Sequence, residues 1–303
     1  MALKQIKSKI KSTERTSKVT KAMEAVSAVK MRKSQERALK GRPYAEAALR
    51  ILENISHSLD VQNHHFFMAE QGTHDCVIVI TSDKGLAGSL NSAVLKEATL
   101  VLKEEKNAQV ELICFGKKAY EHFLRRGYTI PKHYVNVSDE VAIADMEEVV
   151  ALLTEKFQSG YYKNVYIVYQ SFVSTFEQRA IKRQILPIQK KEIRTMIEDI
   201  LPRHGKFSEH EAPKRAVAYT IEQSYEKLFD SLFSTIVEIM LYHALLESKA
   251  SEHSARMVAM KNATDKARDV SKILTLLYNK ARQSIITREV SEITGGIEAM
   301  KSR

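Results

Sequence analysis

The turn TSDKGLAGSLN at 81–91 is the stretch of this 303-residue chain best suited to recognising an anion. It follows the apolar run CVIVITS (76–82) and opens a helix-like stretch, so amides relaxed by Gly85 and Gly88 would face a phosphate. No GK[ST] closes it as in a Walker loop, and there is no G-x-G-x-x-G, so a nucleotide site is poorly supported. The plainer reading is a tight strand-to-helix turn with Asn91 or Ser92 near the cap. His57, His64, His65 and His74 lie near one another in sequence, but no HExxH and no close cysteine joins them, so solvated loop histidines are expected rather than a metal site. Cys76 and Cys114 stand alone inside apolar runs, and no G-x-S-x-G elbow or Cys–His pairing accompanies them. No catalytic residue, cofactor or metal is expected, and the lone cysteines fit a reducing compartment.

A second candidate is electrostatic. Lys4, Lys7, Lys9, Lys11, Lys18, Lys21, Lys30, Arg32 and Lys33 form a basic stripe. Residues 1–42 hold thirteen Lys and Arg against three Asp and Glu, while the whole chain carries a formal +10, so everything beyond Arg42 is balanced. Such a stripe is a solvated helix face or the counterpart of an acidic surface, whether protein, lipid headgroup or nucleic acid. No aromatic residue interleaves with the charges, which weighs against nucleic acid.

The elements that must position these residues are read from glycine and proline. Neither occurs before Gly41 or between Lys214 and Thr294, whereas eight of ten glycines and all five prolines fall between 41 and 213. The chain reads as helix, mixed middle, helix. The first helix would run from about Leu3 to Lys40, roughly 55 Å, and the last stretch would reach roughly 120 Å if continuous. Such lengths point to a coiled coil or bundle. Leu246, Ala250, His253, Met257, Met260, Thr264, Ala267, Ser271, Leu274, Tyr278, Ala281 and Ile285 step by four and three, a 3.5-residue seam that demands a partner helix. The partner that costs least is the N-terminal helix, antiparallel, through a looser stripe of Leu3, Ile6, Ile10, Val19, Met23, Val26 and Met31, with Ala22, Ala25 and Ala28 beside it. In the middle, CVIVITS, VELICF (110–115), VYIVYQSF (165–172) and KRQILPI (182–188) are strand-like and alternate with helix-like stretches at 91–106, 117–126 and 145–158, which argues for a mostly parallel, Rossmann-like sheet. The expected organisation is a coiled coil of 1–60 with 210–303 and an α/β domain over 70–205. No run reaches the roughly 18 to 20 apolar residues of a membrane span; the closest, Leu232 to Leu246, contains Glu238 and His243. The N-terminus continues unbroken into the helix pattern and is read as mature protein rather than a targeting peptide.

Three segments then resemble one family. IKSKIKSTERTSKVTKAMEAVSAVKMRKSQ (6–35) is similar to the N-terminal helix of F-type ATP synthase gamma subunits, EHSARMVAMKNATDKA (252–267) with LYNKARQSIITREVSEITGG (277–296) to their C-terminal signature, and ITSDKGLAGSLN (80–91) to their central motif. The resemblance implies a non-catalytic rotor in a proton-translocating complex. Its coiled coil would pass through a ring of three alpha and three beta subunits, and its α/β foot would meet the epsilon subunit and the c-ring. The setting implied is peripheral, on the cytoplasmic side of a bacterial inner membrane. The resemblance also implies that Lys21, Met23 and Lys30, with Arg32 and Lys33, face an acidic lever of a beta subunit, and that Arg256, Arg282, Gln283, Thr287 and Glu292 meet beta-subunit catch loops. Ala87 and Ser89 depart from the commoner Cys and Gly of relatives, and HGKFSEHEAPKR (204–215) matches weakly. The alternatives from other classes are a basic coiled-coil nucleic-acid binder and a nucleotide-dependent α/β enzyme.

Overall fold

The run CVIVI has no polar face because both sides of its strand are covered. In the computed structural model, strand β1 (His74–Ile80) is the middle of a five-stranded sheet of order β3-β2-β1-β4-β5. It pairs in parallel with β2 (Gln109–Phe115) and β4 (Tyr162–Phe172). β3 (Thr129–Tyr134) runs parallel to β2, and β5 (Gln178–Leu186) closes the other edge antiparallel to β4. Alternate residues feed two cores, as the pleat requires. Val77 and Val79 pack with Val94, Ala98 and Val101 of helix α2 (Leu90–Glu104) and Phe123 of α3 (Lys117–Leu124). Cys76, Ile78 and Ile80 face the other way, onto Leu153 and Phe157 of α4 (Glu147–Gln158) and the Phe233–Leu246 stretch of the C-terminal helix.

The four expected strands and three expected helices are present, and β3 is an addition. Its sequence, TIPKHY, carries Pro131 and alternates exposed with half-buried residues. That is the signature of an edge strand, whose outer side needs no ladder hydrogen bond, rather than of an apolar run.

The structure describes residues 3–55, 72–104, 109–188 and 225–301. Among the earlier readings, His57, His64, His65 and the segment 204–215 lie outside these residues. The two long helices are α1 (Leu3–Ile55) and α5 (Tyr225–Lys301). α1 does not stop near Lys40 but continues through Gly41 and Pro43. A proline inside a helix forfeits a hydrogen bond, and the helix runs through it all the same; a methyl group added at Gly41 would be in van der Waals contact with the Tyr242 ring of α5. The chain divides into two compact units, Met1–Ser27 with Arg256–Arg303, and Ala28–Ala255.

Within the first unit the terminal helices pair. On α5, Met260 and Thr264 are buried, and Ala267, Ser271, Leu274, Tyr278, Ala281 and Ile285 are half-buried: the 3.5-residue seam read from the sequence. On α1 the covered positions are Leu3, Ile6, Ile10, Thr13, Ser17, Thr20, Met23, Glu24 and Ser27. The Thr20 and Thr264 hydroxyls meet at 2.6 Å. Cover on α5 runs C-terminally from Thr264 while that on α1 runs N-terminally from Thr20, so the pair is antiparallel. Leu3, Ile6, Ile10 and Met23 of the expected α1 stripe lie on this face, and two positions of the stripe are corrected. Val19 and Val26 are 58% and 55% exposed, and small hydroxyl residues take the seam in their place. The regular steps of three and four from Leu3 carry the contact face onto Thr13, Ser17 and Thr20, so periodicity decides and hydrophobicity does not.

Candidate partner-contact site

The ends of the loop that looked most like an anion site are tied together by its own side chains. Asn91 Oδ1 accepts from the Ser82 amide at 3.0 Å and from the Ser82 hydroxyl, and Ser92 Oγ donates to the Ser89 carbonyl. Asp83 Oδ1 accepts from the Lys117 amide at 2.9 Å, so a carboxylate of the chain itself occupies the N-terminus of α3, where an anion would otherwise sit. Gly116, just before that helix, has φ +90°, and a Cβ there would lie 2.1 Å from the Thr81 carbonyl oxygen; this close approach brings the two strand ends together. The turn is a strand-to-helix connection. Of the histidines set aside as loop residues, His74 opens β1, stacks on Tyr161 with ring centres 4.1 Å apart, and lies 2.8 Å from the Thr73 hydroxyl through Nδ1. Among the described residues no group of three or more His, Cys, Asp or Glu is arranged to hold a metal ion, and no described helix is long and apolar enough to cross a membrane.

The surface of the helices carries the remaining candidates. In the first unit the ammonium-bearing residues Lys4, Lys7, Lys9, Lys11, Lys18 and Lys21 are all exposed, and Met23 is half-buried beside the seam. Arg282, Gln283, Thr287 and Glu292 are exposed on α5, where Glu292 makes only a solvent-facing contact with Arg288 at 3.5 Å; such a pair contributes little. Arg256 differs from them, being only 9% exposed within its own chain. Beyond Ile285 the seam has no cover. There Ile286, Val290, Ile293, Ile297 and Met300, stepping by four and three, are all exposed. A regular apolar stripe left to water is the mark of a surface that meets something else.

In the second unit Arg32 and Lys33 are exposed, but Lys30 is engaged: its ammonium lies 2.6 Å from Asp139. Asp139, in the loop after β3, also accepts at 2.9 Å from His253 Nε2 of α5, with the Lys249 ammonium 3.8 Å away. The His253 hydrogen bond, with Lys30 and Lys249, outweighs partial burial and holds the Asp139 carboxyl well below the usual carboxylate range. Arg37 of α1 donates to the Asp139 carbonyl at 2.6 Å and pairs with Glu140 at 2.8 Å. Sequence reasoning missed this cluster. Its members lie about a hundred residues apart, and a lone Asp in a loop carries no periodic signal.

Comparison with known proteins gives one consistent result. The family model described as ATP synthase matches residues 2–300. The ATP synthase gamma chain of Pelotomaculum thermopropionicum is 37% identical over 300 residues, spanning 99% of both chains. A chain in the structure of the Tetrahymena thermophila mitochondrial ATP synthase central stalk and c-ring superposes with a TM-score of 0.58 at 25% identity, covering 81% of this chain and 99% of that one. A chain of the Euglena gracilis mitochondrial ATP synthase, captured in one rotational state, shares the fold with a TM-score of 0.63 at 17% identity, covering 98% and 94%.

Proposed function

This chain belongs to the ATP synthase gamma-chain family, and on that premise we propose that it acts as a non-catalytic rotor, turning inside a ring of catalytic subunits to couple proton flow to ATP synthesis. The observation that carries this reading is the pairing of the two chain ends, with Leu3 to Thr20 laid along Thr264 to Ile285. Two helices wound together resist twisting better than one, and a shaft without threefold symmetry presents a different surface to each of three identical partners. Each orientation then favours a different set of nucleotide affinities, and by linkage nucleotide binding pushes the shaft.

The division of labour we propose is a shaft of 1–60 with 210–303 and a foot of 70–205, the foot meeting the epsilon subunit and the c-ring on the cytoplasmic face of a bacterial inner membrane. Lys21, Met23, Arg32 and Lys33 are the contacts for an acidic segment of a beta subunit, and Arg282, Gln283, Thr287 and Glu292 serve its catch loops. Exposure of seven of these eight side chains, with Met23 half-buried, supports the assignment. Lys30 would have to share its ammonium with Asp139, and Arg256 would present only its small exposed fraction. The bare stripe from Ile286 to Met300 suits an apolar bearing in the ring. Nucleic-acid binding gains no support from the fold or the relatives.

The test is co-purification. The tagged chain is expected to bring down alpha and beta subunits at three to three to one, and recovery of the chain alone from cells that express those subunits would contradict the reading. Charge reversal at Arg32 and Lys33 is expected to weaken ATP-driven proton pumping while the sheet stays folded; unchanged pumping would remove the electrostatic contact.

A further inference from the structure

Residues 243–254 of α5 are buried without a break, twelve in succession, so this part of the helix is enclosed on every side. Eight of the twelve are polar or charged, which is not what enclosure alone would select. Their bonds run in opposite directions. Lys249 Nζ donates to the Val137 carbonyl at 2.8 Å, and His253 Nε2 meets Asp139 Oδ1 at 2.9 Å, both on the loop after β3. Ser251 Oγ donates to the Gln170 carbonyl at 3.1 Å and Ser254 Oγ to the Thr175 carbonyl at 2.6 Å, both at the end of β4 and its hairpin. At 100° per residue the first pair and the second lie about 150° apart around the helix. The α/β unit therefore holds α5 from two nearly opposite sides, and the same Asp139 also holds α1 through Lys30 and, by its carbonyl, Arg37.

Apolar burial is non-directional: it depends on area and shape and names no single atom that must stay opposite another. Hydrogen bonds behave otherwise. They fail beyond a few tenths of an ångström and a few tens of degrees, and a buried polar group left without its partner bears the full cost of desolvation. A ring of such bonds fixes the angle of a helix about its own axis. We propose that the belt 249–254, with Asp139 as its key, is the joint through which torque passes between the α/β domain and the helices, the apolar stretch from Phe233 to Leu246 serving only to hold α5 in place. This rests on the rotor reading and adds to it where the load is borne and by which residues.

The test uses the whole complex reconstituted in lipid vesicles, with ATP hydrolysis and proton pumping measured together against a rising proton gradient. Asp139→Ala and, separately, Ser251→Ala with Ser254→Ala are expected to assemble and hydrolyse ATP at the normal rate. Their protons moved per ATP should fall under load by roughly tenfold, as slip at a weakened joint outpaces pumping. Asp139→Glu should restore part of the loss. Should Asp139→Ala fail to assemble, the serine pair decides, since alanine fills those positions without loss of packing. A purely structural role predicts lower yield and lower thermal stability but a wild-type proton-to-ATP ratio in whatever assembles, and that result overturns the proposal. Failure of the wild-type complex to pump would instead count against the rotor reading.

Discussion

The sheet and the terminal helix pair are held together by opposite means. In the Ala28–Ala255 unit both faces of β1 are sealed by large side chains such as Phe123, Leu153, Phe157 and Tyr169, with exposures near zero. In the pair formed by Met1–Ser27 and Arg256–Arg303 the interface mixes Thr, Ser and Ala with Leu, Ile, Met and Tyr in about equal numbers, and most of its members are only half covered. Stability is concentrated in the first. The second is built for close approach of two backbones and for presenting an outer surface, and it contributes little apolar burial of its own.

The contrast is sharpened most by truncating a core side chain. Phe157→Ala should cost about 3–5 kcal/mol of unfolding free energy in denaturant titration, while Ile285→Ala, on the half-covered seam, should cost about 1. Equal losses would mean that the two regions share one kind of core.

Acid should separate the regions next. Burial and the nearby Arg183 charge push His243 down to about 3, whereas an unfolded histidine titrates near 6.5. The unfolded chain thus takes up the proton first, and stability falls as pH drops below about 6.5. Asp139 acts in the same direction but at lower pH. Its depressed carboxyl contributes stability above the ordinary carboxylate range, and that contribution is lost only as pH falls below it. His243→Gln should flatten the loss between pH 7 and 5. The helix pair contains no histidine in residues 1–27 or 256–303 and should not respond in that window. Hydrogen exchange across the pH series would follow each region separately.

The smallest effect lies in the seam. Thr264→Val removes one hydroxyl of a buried pair and should cost about 1 kcal/mol, while changing Thr20 and Thr264 together to Val should be near neutral, since no polar group is then left unmet. A full additive loss in the double variant would mean that the two hydroxyls are not coupled and that each acts through its own helix carbonyl.

How much of this was legible in the sequence follows from the same contrast. The α5 seam was readable because its spacing is regular whatever the residues. The α1 seam was readable at Leu3, Ile6, Ile10, Met23 and Met31, but Val19 and Val26 lie on the wrong face, and only the fixed step from Leu3 identifies Thr13, Ser17 and Thr20. β1, β2 and β4 announced themselves as apolar runs; β3 did not, because an edge strand with Pro131 needs none. The surface candidates came from resemblance. Asp139, tied to Lys30 and His253 across 109 and 114 positions, had no local signal at all.

As a rotor the chain must keep its two terminal helices paired as one rod while the complex turns over. Thr20→Cys with Thr264→Cys tests it, because the two hydroxyls already meet and the native thiols of Cys76 and Cys114 are fully buried and pushed up by that burial, leaving oxidation to the new pair. The disulfide is expected to form, and the oxidised complex to synthesise ATP as the reduced one does. Loss of synthesis on oxidation, restored by reductant, would show that the helices must part, and the rod would be contradicted.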